Sequence, residues 1–206
     1  MNFKLLPLIG FIGGFIQPAF AAENTTDTLH TTTQTTPILF AGLTYGGDDL
    51  YQVEYVDGSD TELKAGGMLS LGGGMSFNLN SYTLQTTAAY HFDSATAKNG
   101  DVSFSRWVFE VLPFYNIDEH HRVGLGLGYH TGIELESDFD IDKTQVEFDA
   151  TTGIIAEYGY SWARNTLALR YVSVKYDISE LDGMNVSSAN ESVSGSHLGA
   201  YYYFHF

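Results

Sequence analysis

From Arg122 to Leu135 the chain reads RVGLGLGYHTGIEL, and it alternates at every residue. Val123, Leu125, Leu127, Tyr129, Thr131, Ile133 and Leu135 fall on one parity. Arg122, Gly124, Gly126, Gly128, His130, Gly132 and Glu134 fall on the other. Successive side chains of a strand point to opposite faces. One face is therefore large and apolar, and the other is built from glycines and charges. A soluble sandwich alternates too, with its apolar face turned inward. Here the polar face is the small one, as a narrow interior would require. This inversion restricts the fold more than any other feature of the chain.

The pattern recurs along the sequence. Trp107, Phe109, Val111, Pro113 and Tyr115 oppose Arg106 and Glu110; Tyr82, Leu84, Ala88, Tyr90 and Phe92 oppose Gln85, Thr87 and His91. Val146, Phe148, Ala150, Ile154, Ala156, Tyr158 and Tyr160 oppose Glu147, Asp149 and Glu157, and Leu167, Leu169 and Tyr171 oppose Arg170. After Tyr171 the parity blurs, because Val172 and Val174 fall on the polar side; a bulge and a strand leaving the membrane both predict this. The last ten residues, HLGAYYYFHF, place Leu198, Ala200, Tyr202, Phe204 and Phe206 on one face. The count is eight strands. Three connections are short, at 78–81, 116–121 and 162–165. The alternate ones are long and acidic, around 57–62, 93–102, 136–146 and 177–194. Short turns at one end, long loops at the other and an even strand number predict an all-β, eight-stranded antiparallel up-and-down transmembrane barrel. Tyr45, Tyr82, Tyr115, Tyr129, Tyr160 and Trp162 suit its aromatic girdles. Folding the first hairpin about Gly58 and Ser59, beside an Asp57-Gly58 turn signal, predicts strands at 38–56 and 61–77 with Ile38 opposite Leu79.

Residues 1–21 read as a cleaved signal peptide: a single Lys4, an apolar run from Leu5 to Ile16 and an Ala19-Phe20-Ala21 site. Residues 22–37 are Thr-rich and predict a flexible leader, which leaves 38–206 for the barrel. There is no cysteine, so disulfides do not hold the fold. The formal charge of −16 excludes a nucleic-acid partner, which would need Lys and Arg against phosphate.

Parity directs Lys64, Arg106, Glu110, Arg122, His130, Glu134, Glu147, Asp149, Glu157 and Arg170 into the lumen. An eight-stranded interior is about wide enough for side chains to fill, so these predict an ion-paired plug. A narrow path, unwelcoming to anions, is the other reading. Asp138, Asp140 and Asp142 repeat at every second position and offer hard oxygens to Ca²⁺ or Mg²⁺. They lack the glycine of an EF-hand loop, and a solvated acidic loop is the favoured reading, with no cofactor expected. His120 and His121 are read as exposed turn residues rather than metal ligands.

The ending, with Gly199, Tyr202, Phe204 and a terminal Phe206, resembles the signal by which the outer-membrane assembly machinery recognises barrel proteins. The whole of 38–206 resembles small eight-stranded outer-membrane barrels of the OmpA/OmpX type. The resemblance implies a monomer in the bacterial outer membrane, in contact with its lipid and lipopolysaccharide. No peptidoglycan-binding domain follows the barrel, so the anchoring role of longer relatives does not carry over. Three functions fit such a barrel. The first is a non-enzymatic structural or surface-interaction role through acidic loops. The second is a narrow pore or lateral gate for small hydrophobic molecules. The third is lipid A modification, which needs a serine beside a histidine base; no serine flanks His130 and Glu134 at strand spacing, so no enzyme is expected.

Overall fold

The computed structural model describes residues 33–54, 60–97, 100–139, 142–182, 184–185 and 192–206. The signal-peptide reading, the leader up to residue 32, the Asp57-Gly58 turn and Asp140 lie outside them. Fourteen strands follow in chain order: β1 Gln34–Gly46, β2 Asp49–Glu54, β3 Asp60–Lys64, β4 Met68–Leu79, β5 Tyr82–Ala97, β6 Gly100–Asn116 and β7 His121–Phe139, then β8 Asp142–Phe148, β9 Thr151–Trp162, β10 Asn165–Ser173, β11 Lys175–Leu181, β12 Met184–Asn185, β13 Ser192–Ser194 and β14 His197–His205.

Eight of these close a barrel in the order β1-β4-β5-β6-β7-β9-β10-β14, with β14 returning to β1. The closing seam runs from Ile38 opposite His205 to Gly46 opposite His197. Phe206 N–H adds one further bond, to the Pro37 carbonyl at 3.1 Å. An edge strand in lipid would carry unpaired backbone groups; closure removes both edges. This is why a strand with so greasy a face can end the barrel: Leu198, Tyr202, Phe204 and Phe206 are exposed on the outside, with no core to enter. The same belt carries Leu39, Leu43, Leu71, Phe109, Leu125, Leu127, Ile154, Leu167 and Leu169. Tyr82 packs on Tyr115 at one rim, and Tyr90 on Trp107 at the other. Eight residues separate Tyr82 from Tyr90, about 27 Å of strand, which at the tilt of such strands rises about 20 Å, most of the height of the apolar band.

The strand β1 begins at Gln34, paired with Asn78, so the barrel starts inside the segment read as leader. Its register with β4 sets Ile38 opposite Gly74 instead of Leu79. The first hairpin is not two straight strands. The chain kinks at Gly46 and Gly47, both with positive φ, and β2 and β3 form a separate ladder beyond.

The long connections are also more ordered than loops. β5 and β6 pair as far as Ala97–Gly100, and β7 and β8 as far as Phe139–Asp142. Beyond the belt these hairpins turn their apolar side inward. Leu63, Ala95, Val102, Phe104, Ile133, Phe148, Val174 and Tyr176 are buried together and form a cap core. The polar parity of the barrel thus gives way to a soluble-type core above it. Val172, Val174 and Tyr176 keep the inward parity of Arg170, so the blurred pattern there marks emergence from the belt and not a bulge.

The bulge lies on β7. Its register against β6 shifts between Ser105 and Trp107, where Gly132 takes φ +57°. A glycine in the left-handed region accommodates one extra residue and reverses the parity beyond it. His130 points inward, and so does Ile133. The segment paired with β7 reverses in step, at Asp149 and Ala150, which are both exposed between β8 and β9.

At the other end, Asp118 shapes the β6–β7 turn by accepting N–H bonds from His120 and His121, each 2.8 Å. Those two bonds hold its carboxyl below the usual carboxylate range. A depressed acid stabilises the fold above the unfolded value of about 4 and loses that contribution as pH falls through its own lower value. Asp118→Asn keeps the acceptor and should remove this acid dependence. Amide exchange at His120 and His121 between neutral and acidic pH checks it: protection should fall in the wild type and hold in the variant.

Candidate functional site: the barrel lumen

Six of the ten residues assigned to the lumen by parity lie there: Arg106, Glu110, Arg122, His130, Glu157 and Arg170 are all buried. Four do not. Lys64 pairs with Asp49 and lies over the Tyr45 ring on the outer side, because β3 belongs to the separate hairpin beyond the Gly46–Gly47 kink. Glu134 lies past the Gly132 bulge, where it hydrogen-bonds Gln145. Glu147 is the direct cross-strand neighbour of Glu134 and is exposed, and Asp149 is exposed in the break before β9. The parity reversal on this hairpin accounts for all three.

Four of the buried charges, Glu110, Arg122, Glu157 and Arg170, meet in one network. Arg170 donates from Nη1 to Glu110 Oε1 at 2.6 Å and from Nε to Glu157 Oε2 at 2.8 Å. Its Nη2 reaches the Tyr203 hydroxyl at 2.7 Å, and Tyr203 donates onward to Glu157 Oε2 at 2.9 Å. Thr87 donates to the other Glu110 oxygen at 2.6 Å. Arg122 stands 3.4 Å from Glu157 Oε1 and stacks its guanidinium on Phe114, 4.1 Å from the ring centroid. Two arginines and two glutamates give a neutral set, which is the condition for holding charges out of water. Arg170 also lies over the Tyr201 ring, 4.3 Å from its centroid; Tyr203, Tyr201 and Thr87 are the members that charge-based reading of the sequence missed. Each lies on the parity opposite the large apolar residues of its own strand, and that was the available signal.

The inward glycines make room for this filling. A Cβ on Gly124 would meet the Phe114 ring at 2.6 Å, one on Gly199 the Tyr201 ring at 2.6 Å, and one on Gly72 the Phe40 ring at 2.6 Å. The space a channel would need is occupied by aromatic rings of β1, β6 and β14. Below the network, a polar vestibule of about 800 Å³ opens at the short-turn end, lined by residues including Asn78, Asn116, Arg122, Arg164 and His205. Above it lies a cavity of about 10 Å³, bordered by Ser70, His91, Glu110, His130 and His197, about the room one water needs. The cap core closes the far end.

Asp138 pairs with Lys143 at 2.7 Å, a bond that raises the lysine above its ordinary value. Asp142 opposes Phe139 at the tip of β8. Among the described residues no group of three His, Asp or Glu side chains converges as a metal site. His120 and His121 bond to the Ser161 carbonyl and the Tyr158 hydroxyl, at 2.9 and 2.6 Å. Gly199 faces the lumen, while Tyr202, Phe204 and Phe206 face outward.

No known family's sequence profile matches the chain, and no curated protein does. Among solved structures, it is similar to Ail, the attachment invasion locus protein of Yersinia pestis, in complex with the heparin analogue sucrose octasulfate. There the TM-score is 0.49 and the identity 11%, over 84% of this chain and 99% of that one. Neisserial surface protein A is similar at a TM-score of 0.43 and 11% identity, over 84% of this chain and 97% of that one. Likeness at this level says nothing about activity.

Proposed function

We propose that this protein is a non-enzymatic barrel of the bacterial outer membrane that works by its surface and not by its lumen. The Arg170–Glu110–Glu157–Arg122 network carries the reading: a neutral, mutually bonded set fills the barrel between the vestibule and the cap. The apolar belt with its aromatic rims supports the membrane placement. By the short-turn rule the vestibule faces the periplasm and the capped hairpins face outward. Those hairpins present acidic side chains, including Asp49, Glu134, Asp138, Glu147 and Asp149. Their partners would be cationic groups or lipopolysaccharide bridged by Ca²⁺ or Mg²⁺.

The test is single-channel recording on the refolded protein in planar bilayers at neutral pH. The wild type should be silent. A steady conductance would sink the surface reading and make transport the leading function.

A further inference from the structure

Arg106 enters the lumen from β6 directly across from His91 of β5, and both are buried. Its Nη2 lies 2.9 Å from His91 Nδ1. A guanidinium can only donate, so His91 Nδ1 accepts and carries no proton. The other ring nitrogen, Nε2, lies 2.8 Å from Thr44 Oγ1. A neutral ring then carries its proton on Nε2 and donates it to that hydroxyl.

Two more histidines share the chamber. The His197 ring stands edge-on to His91 with centroids 5.3 Å apart, and its Nδ1 is 2.7 Å from the Gly195 carbonyl. His130 Nδ1 is 3.1 Å from the Tyr176 hydroxyl, while its Nε2 has no hydrogen-bond partner. Arg106 Nε and Nη1 also lack one. The guanidinium instead lies between the Phe104 and Tyr176 rings, 5.2 and 5.4 Å from their centroids. Both rings belong to the cap core. Among the described residues no carboxylate is within ion-pair distance of Arg106. The other charged or titratable groups facing the chamber are Asp93 of β5, Glu110 of β6, Arg170 of β10, Tyr176 of β11 and Tyr201 of β14. Glu110 and Arg170 are already bonded to each other.

We propose that this chamber is an acid-released latch, in which a proton taken up by His91 against Arg106 detaches the cap from the barrel wall. The proton can add only at Nδ1, the atom that accepts from Arg106. Two cations with donors only would then face each other across the bond that is lost. His130 and His197 differ. Each can take a second proton and keep its bond, His130 by donating to the Tyr176 hydroxyl. They add charge to the chamber, but His91 is where a bond is lost. The cap core rests on the guanidinium that His91 holds, so its packing is what the repulsion disturbs. The Arg170 network lies outside this step, and the latch does not depend on whether the lumen conducts.

Amide hydrogen exchange on the full chain, refolded in detergent micelles, tests this at neutral pH and at about pH 5, the range in which histidine switches act. Rates are corrected for intrinsic chemistry. Amides of Phe104, Val174 and Tyr176 should lose about tenfold in protection at the lower pH as a local opening unit, while those of Leu167 and Leu169 hold. His91→Gln preserves an acceptor toward Arg106 and a donor toward Thr44 but takes up no proton; its cap should stay protected at both pH values. Should that variant fail to fold, the His130→Gln/His197→Gln double variant must still show the loss, because His91 is intact. Equal protection of the wild-type cap at both pH values overturns the latch. So does equal loss in wild type and His91→Gln, which would assign the response to Asp93, His130 or His197.

Discussion

Arg170→Met should destabilise the barrel by about 3–5 kcal/mol, the cost of stranding buried charges by removing their partner. Arg170 is almost wholly buried and supplies the bonds that join Glu110, Glu157 and Tyr203. Without it two carboxylates remain in the same dry space, with Arg122 near only one of them. The cost lies in what is left behind, which a second variant isolates. Arg170→Met combined with Glu110→Gln and Glu157→Gln removes the stranded charges as well and should regain most of the loss. Arg170→Lys should fall between, since an ammonium cannot fork to two carboxylates and a phenol as a guanidinium does. Urea unfolding of the refolded protein in lipid vesicles measures all three. A Met variant as stable as wild type would mean that the network contributes nothing to the barrel and that its charges are reached by water.

The belt and the lower lumen were legible in the sequence because size and polarity change together there. Between Arg122 and His130 every outward residue is large and the opposite face carries the glycines and charges, whereas from Trp107 to Tyr115 the opposite face holds Val108, Leu112 and Phe114 beside Glu110. What parity cannot supply is height across the barrel. Arg170 meets Glu110 from 60 positions away, and no local pattern states that they share a level. Arg106 and His91 are simpler, being direct cross-strand neighbours, yet they become readable only once the β5–β6 register is known.

The upper barrel was misread for a specific reason. Gly132 continues a row of glycines at 124, 126 and 128, and those serve space: their missing side chains admit Phe114, Leu112 and Ile155. Gly132 serves backbone conformation instead, at φ +57°. In sequence the two uses look alike, so the parity was carried past the bulge and Glu134, Glu147 and Asp149 were placed on the wrong face. The same ambiguity hid the kink at Gly46–Gly47 and with it the true position of Lys64. The cap core was hidden too, since apolar-inward strands above the belt have the same period as apolar-outward strands within it.

The distinction between glycines that spare a side chain and glycines that spare the backbone yields a sharp comparison. Gly74→Ala should cost roughly 3 kcal/mol or more, at or beyond the upper end of overpacking effects. A Cβ there would meet the Thr87 Cα at 2.8 Å, and the Thr86 carbonyl oxygen closer still. These are backbone atoms of the paired strand β5, in register with Gly74 through Thr87. No rotamer change relieves the clash; β4 and β5 must separate, and in a closed barrel that movement strains every other seam. Gly128→Ala is the control. Its Cβ would meet Ile155 Cδ1 at 3.1 Å and His130 Nε2 at 3.4 Å, both at side-chain ends beside a small cavity. Those atoms can move by the few tenths of an ångström required, so the change should stay within about 1 kcal/mol. Unfolding midpoints of the two variants, measured side by side, decide the matter. If Gly74→Ala unfolds with Gly128→Ala and wild type, the two strands are not held as closely as their register indicates, and the lumen has more room than its filling implies.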